Sequence, residues 1–255
     1  MDELQLLTGK PFVVDGITFR HPKVSDIIEV GEEFYLSAAN MFMVKLSDLM
    51  VELYDCGIDY RTANPFDVFI ALCGDTLLRD GEKIITTKSG LPVWNEDSAS
   101  SKRLGWLTGI PDFQFFTDGE NVFLYSFSTK LAITESTYKI ARQYYSKMHF
   151  RDNSEKFNPA NDTTLKFLVR QEKRRRELEK RKPQKSAFAS KISSLVWASG
   201  RTYEEVENLY VYQFFDGLNR IGRIKEYDNV CNGYYTGNIR KEDFKKIVEK
   251  VDWTL

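Results

Sequence analysis

Two histidines, His21 and His149, are the side chains best suited to metal ligation or proton transfer. His21 precedes a proline, and His149 lies beside Lys147 and Arg151. Neither has a second His or Cys at ligand spacing, so a His-based zinc site is not expected. Carboxylates crowd at Glu29, Glu32 and Glu33 and again at Glu204, Glu205 and Glu207. Acid–base work would need one of a pair raised in pKa by burial, whereas Glu204 and Glu205 are explained more simply by a helix N-terminus. Cys56, Cys73 and Cys231 are odd in number and form no CxxC pair, which points to reduced thiols in a cytosolic setting. Cys56 and Cys73 stand among apolar neighbours and read as small buried hydrophobes rather than nucleophiles. GxGxxG, GxxxxGK[ST], GxSxG and HExxH are all missing from the sequence. The expectation is a chain without catalytic residues, metal or cofactor, and therefore not an enzyme.

Charge offers one further lead. Between Arg170 and Lys185 there are nine Lys or Arg and three Glu, a local balance of +6 in a chain whose net charge is −1. Arg170, Lys173, Arg174, Arg175, Arg176, Lys180 and Arg181 could neutralise phosphates in a salt-dependent way. Against nucleic acid stand the lack of interleaved aromatics for base stacking and the placement of Glu172, Glu177 and Glu179 for i,i+4 pairing with Arg176, Arg175 or Lys173. Nucleic-acid binding is thus a secondary alternative. No apolar run approaches the roughly 18 to 20 residues that span a bilayer, and the N-terminus lacks the pattern of a signal peptide, so no membrane role is expected.

The elements that would position these groups form an α+β protein, predominantly helical. Pro11–Arg20 reads as a hairpin turning at Asp15-Gly16, and Phe113–Phe127 as a second turning at Asp118-Gly119; the two are expected to share one small antiparallel sheet. Helices are expected from Ser25-Asp26 through Val44, over Leu46–Cys56, from Pro65 to Leu72 and over Thr134–Met148, the last with Tyr138, Ala141, Tyr145 and Met148 on one face. Residues 74–112 read as a loop-rich insertion with edge strands at KIITT and PVW. Asp162 should cap a long basic helix closed by Pro183 that acts as a solvated connector. Ala187–Ser199 is a helix ending at Gly200, and Thr202 with Glu205 forms a capping box. Beyond it Val206, Tyr210, Phe214, Leu218, Ile221 and Ile224 predict one continuous amphipathic helix. A last helix covers Lys241–Glu249. The resulting layout is an N-terminal α+β domain (1–161), a basic connector helix (162–185) and a C-terminal helical domain (186–255).

Aromatics make up 14% of the chain and cluster at Phe113–Phe127, at Tyr210–Phe215 and at Tyr234-Tyr235. A two-sided hairpin must turn some of its rings outward, which points to protein–protein contact. Trp197, Tyr210, Phe214, Leu218, Tyr234 and Tyr235 are the candidate partner-binding residues, with the core of the C-terminal unit as the competing reading of the same side chains.

The segments LLTGKPFVVDGITFRHPKVSDIIEVGEEFY, LYDCGIDY, SLVWASGRTYEEVENLYVYQFFDGLNRI and GYYTGNI resemble proteins encoded among the tail genes of tailed phages of Gram-positive bacteria, close to the tape-measure protein. These are called tail assembly chaperones or phage structural proteins. The resemblance covers both ends of the chain and implies an N-terminal domain and a C-terminal helical domain joined by a charged helix. It also implies partners, the tape measure and the tail tube, and a place in the host cytoplasm during assembly. The aromatic-rich middle departs from the small chaperones, and a permanent virion component, such as a connector or baseplate subunit, is the alternative. A homo-oligomer is left open.

Overall fold

The computed structural model describes residues 3–73, 85–88, 92–93, 99–119, 121–152, 154, 159–181 and 186–251. It is α+β and predominantly helical. In chain order the helices are α1 (Glu3–Leu7), α2 (Val24–Val30), α3 (Glu32–Met43), α4 (Met50–Asp55, after a 3-10 turn at Leu46–Leu49), α5 (Pro65–Cys73) and α6 (Ala99–Thr108). They continue with α7 (Glu135–Met148), α8 (Asp162–Lys180), α9 (Ala187–Ser199), α10 (Tyr203–Glu207), α11 (Val211–Tyr235) and α12 (Lys241–Val251). The strands are β1 (Phe12–Val14), β2 (Ile17–Phe19), β3 (Ile85–Thr86), β4 (Pro92–Val93), β5 (Phe113–Thr117), β6 (Val122–Ser126) and β7 (Leu131–Ile133). Contacts divide the chain into one unit of residues 10–21 and 29–185 and another of residues 2–9, 22–28 and 186–255. Two short N-terminal segments, 2–9 and 22–28, group with the C-terminal helices, and α8 groups with the first unit.

In the first unit, β1 and β2 form the expected hairpin, with Asp15 and Gly16 both at positive φ (50° and 79°), as its two-residue turn requires. It does not join the second hairpin. β5 and β6 are completed instead by β7, which pairs Leu124 with Ile133 and Ser126 with Leu131. Ser126, Ser128 and Thr129 make this turn: Asp112 accepts hydrogen bonds from the Ser126 and Ser128 hydroxyls and the Ser128 amide. Those bonds hold the Asp112 carboxyl below the usual carboxylate range, led by the one from Ser126. The strands expected at KIITT and PVW are β3 and β4, while residues 74–84, 89–91 and 94–98 of the insertion lie outside the described ones. Within the insertion read as loop-rich, Ala99–Thr108 is helix α6, with Leu104 and Leu107, one turn apart, fully buried.

The core of this unit gathers on α3. Phe42 is fully buried, with its ring centroid 4.9 Å from Phe69, 5.1 Å from Tyr145, 5.7 Å from Phe19 and 6.2 Å from Tyr138. The expected face of α7 is in place: Tyr138, Ala141, Tyr145 and Met148 are all buried, and Thr134 caps the helix by accepting from the Thr137 amide. The helix expected through Val44 is instead two, because Gly31 at φ 90° ends α2 before α3 begins. Phe42→Ala is expected to cost about 3–5 kcal/mol by leaving a cavity at the meeting point of four rings, read as the denaturant midpoint of the first unit.

Helix α8 is capped by Asn161, whose side chain accepts from the Thr164 amide, rather than by Asp162. Its closure at Pro183 lies outside the described residues. It does not run solvated along its whole length. Leu165 and Val169 are buried in a cluster with Leu46, Met50, Leu53 and Val68, so one apolar side packs on α4.

In the second unit, α9 ends at Gly200 in the left-handed conformation (φ 71°), and Thr202 and Glu205 form the capping box. The predicted continuous helix after it is broken. Tyr210 is extended (φ −67°, ψ 152°) and bridges Lys23, with Val24 N–H donating to Leu209 O at 2.9 Å and Val211 N–H to Pro22 O at 3.0 Å. Gln213 restarts the helix as α11: its side chain accepts from the Tyr210 amide and donates to Leu7 O. The Tyr210 ring lies over Gly9, which has φ 66°. Any Cβ at Gly9 would overlap that ring, so Gly9→Ala combines a strained backbone with a clash. It should lower the thermal stability of the second unit by about 2–4 kcal/mol, whereas Gly222→Ala, with open space around it, should be neutral or stabilising. Comparison of the two melting curves checks both.

Candidate functional site

Both histidines lie against tyrosine rings, His21 beside Tyr144 and His149 beside Tyr35. His149 Nδ1 lies 2.8 Å from Tyr145 O, and because a carbonyl only accepts, Nδ1 carries the proton. Nε2 lies 2.6 Å from the Tyr35 hydroxyl, from which a neutral ring accepts. Tyr35 is buried and stacked on the imidazole, and burial raises its pKa well above the ordinary value. His21 is 5% exposed, edge-on to Tyr144, and burial lowers its pKa to about 4. Among the described residues no group of three or more His, Cys, Asp or Glu is placed to hold a metal ion.

The basic helix is partly neutralised. Arg176 bonds Glu52 at 2.5 Å, Glu172 at 3.0 Å and Asp48 O at 2.8 Å; Arg175 bonds Glu172 and Glu179, each at 2.6 Å; Lys173 bonds Asp55 at 2.7 Å. Glu172, hydrogen-bonded first by Arg175 and then by Arg176, has its pKa lowered to about 2. Arg170, Arg174, Lys180 and Arg181 are exposed. Three of the seven singled-out cations are thus committed to carboxylates of α4 or of α8 itself, which reduces the field available to phosphates.

The candidate partner residues are not brought together on one face. Phe214 is fully buried against Phe188 (5.2 Å), and Tyr210 is taken up by the contact with Gly9. Leu218 is half-buried, Tyr234 stacks on Phe244 at 4.4 Å, and Trp197 and Tyr235 are each 82% exposed. Beyond Phe214, α11 and α12 form a two-helix arm. From Phe215 to Lys250 no side chain is buried, although Leu218, Ile221, Ile224, Ile247 and Val248 lie along it. Two helices alone shield only one side of each, so such a seam stays half open to water.

A separate feature lies in the first unit, assembled from segments far apart in sequence. A cavity of about 450 Å³ is lined by Asn64, Phe66 and Asp67 at the start of α5, and by Lys88. The β5–β6 turn adds Asp118 and Asn121, β6 adds Phe123, and the start of α7 adds Thr134, Glu135 and Ser136. Asp67 is 7% exposed. On the sheet face that carries Phe123, the rings of Phe116, Tyr125 and Phe127 lie within 5.1–5.7 Å of one another. The aromatic cluster was visible in the sequence. Its link to the cavity was not, because Asn64, Asp67, Asn121 and Glu135 carry no common motif.

Residues 180–253 match the family model described as the YomV second domain. The matched stretch runs from the end of α8 through α9, α10, α11 and α12. The match supports the coarser part of the resemblance, a phage-related protein. No curated protein and no solved structure matches the chain.

His21 carries a pH consequence. With a folded pKa of about 4 against an ordinary value of 6.5, the unfolded chain takes up this proton first as pH falls. The stability linked to His21 is complete above about pH 6.5 and declines toward pH 4, by about 3 kcal/mol at most. His21→Phe should flatten that part of the profile, measured as melting temperature of the variant against the wild type from pH 7 to 4.

Proposed function

We propose that the protein is a non-enzymatic, phage-related protein that works through protein–protein contacts in tail morphogenesis, in the manner of an assembly chaperone for the tape measure and tail tube. The observation that carries this reading is the α11–α12 arm. Over 36 residues, from Phe215 to Lys250, it holds an apolar seam without one buried side chain. The whole arm falls inside the stretch matched by the phage-related domain model. A seam of this kind gains free energy at about 25 cal/mol for each Å² of apolar surface that another polypeptide covers. Trp197 and Tyr235 supply the exposed large rings that dominate interface energetics when a partner encloses them. Nucleic acid is the weaker reading, since Lys173, Arg175 and Arg176 already hold carboxylates. Action of this kind places the protein in the host cytoplasm while tails are built.

Mass spectrometry of purified phage particles tests the role. A chaperone is missing from the mature particle, whereas a connector or baseplate subunit is present at fixed stoichiometry, which would reject the chaperone assignment. Trp197→Ser together with Tyr235→Ser should leave the melting temperature within about 2 °C, because exposed side chains contribute little to folding. The same pair should weaken co-purification with co-expressed tape-measure or tail-tube protein at least tenfold. Undiminished co-purification would exclude these two rings as the contact.

A further inference from the structure

We propose that the outer face of the β5–β6–β7 sheet and the cavity beside it bind a glycan, specifically a neutral or amino-substituted sugar chain. This goes beyond the protein-contact role and uses none of the residues of the α11–α12 arm.

The aromatic rings give the first argument. Phe116 pairs with Phe123 across the sheet, and Tyr125 follows on the same face two residues along β6. Phe116 and Phe127 are 38% and 55% exposed, so the sheet leaves large rings facing water. A pyranose presents an apolar face of C–H groups, which packs on such rings without needing a deep pocket. The β6 strand is about 17 Å long at five residues, enough for several sugar units to lie along it.

The cavity gives the second argument. Phe123 belongs both to the ring cluster and to the cavity wall, so the two features are continuous. A volume of about 450 Å³ lies in the range of small-molecule sites. Its polar lining is rich in groups that suit hydroxyls. Asp67, Asp118 and Glu135 accept; Asn64 and Asn121 offer amides that both donate and accept; Thr134 and Ser136 offer hydroxyls. A sugar hydroxyl also donates and accepts, and mixed lining of this kind can pair both roles. These groups also have local partners: Asp118 accepts from the Asn121 backbone N–H at 2.9 Å, Asn64 Oδ1 from the Phe66 amide at 2.9 Å, the Thr134 and Ser136 hydroxyls lie 2.8 Å apart, and Glu135 bonds Lys139 at 2.9 Å. The bonds of Asn64 and Thr134, at the starts of α5 and α7, hold those two side chains before a ligand arrives, which lowers the entropic cost of binding.

Charge narrows the ligand class. Among the described residues, with Glu135 paired to Lys139, Asp67 and Asp118 against Lys88 leave the cavity wall net negative, which disfavours phosphate- or sulfate-bearing chains relative to neutral or amino sugars. A peptide partner fits less well, because the buried centre of a protein interface is depleted of charged residues.

The test is ligand-observed NMR on the full chain with cellohexaose, chitohexaose and its deacetylated form, alongside a sulfated heparin hexasaccharide and a proline-rich peptide. Binding of a neutral or amino hexasaccharide at least tenfold tighter than the heparin fragment is expected. Phe116→Ala and Phe127→Ala, both at exposed positions, should each weaken it about fivefold to tenfold with unchanged circular dichroism, while Trp197→Ala should have no effect. The proposal is overturned if none of the three hexasaccharides binds at about 5 mM, if binding survives both Phe substitutions intact, or if the sulfated chain or the peptide binds more tightly. None of these outcomes bears on whether the protein is present in the particle, so the two readings fail separately.

Discussion

A short stretch of backbone pairing governs the second unit. Val24 and Val211 exchange hydrogen bonds with Leu209 and Pro22 across the Lys23–Tyr210 bridge, and this holds Tyr210 extended in place of the helical conformation that its spacing favours. Buried peptide groups must find partners, and here the partners lie nearly 190 positions away in sequence. Once the chain is extended at Tyr210, its ring covers Gly9, Gln213 reaches Leu7, and α11 starts with Val211, Tyr212 and Phe214 buried. Beyond Phe214 the described part of α11 holds no buried side chain and packs along α12.

That arrangement separates stability from exposure within one helix. The buried start of α11 is secured by Phe188, Leu195 and the restarting contact of Gln213. The remainder is a half-shielded seam, in which Tyr234 against Phe244 and Gly233 against Ile239 provide close packing without burial. Gly217 has Leu195 against the space a Cβ would take, which accounts for a glycine inside an otherwise regular helix.

The first unit solves a different problem. Its core is built from aromatic rings converging on Phe42, and such rings bury large areas while keeping few rotamers. α8 is added to that unit by a few leucines and valines at its start and by Arg176, whose guanidinium joins Glu52, Glu172 and the Asp48 carbonyl. Exposed ion pairs of the Lys173–Asp55 kind contribute about 0–1 kcal/mol each, so the apolar contacts of Leu165 and Val169 decide the placement and the charges refine it. A segment whose composition resembles a solvated spacer is thereby fastened to α4 along one edge.

Local grammar was legible from residue types alone. Asp15-Gly16 and Gly200 take up positive φ because little else tolerates it there; Thr202 with Glu205 and Thr134 satisfy orphan helix amides; and the α7 face follows the 3.6-residue repeat. The α+β class and the dominance of helix follow from the same local signals. Long-range pairing was not legible. The break at Tyr210, the docking of α8 and the meeting of Asn64, Asp67, Asn121 and Glu135 around one cavity each depend on segments far apart in sequence. The third strand Leu131–Ile133 pairs locally with β6, but its turn, Phe127–Lys130, has no Gly, Asn or Pro to mark it. The candidate partner set divides the same way. Spacing placed Tyr210, Phe214 and Leu218 on one helical stripe, but only the tertiary fold could put Phe214 inside and leave Trp197 and Tyr235 in water, because periodicity tells which residues share a face and not what covers that face.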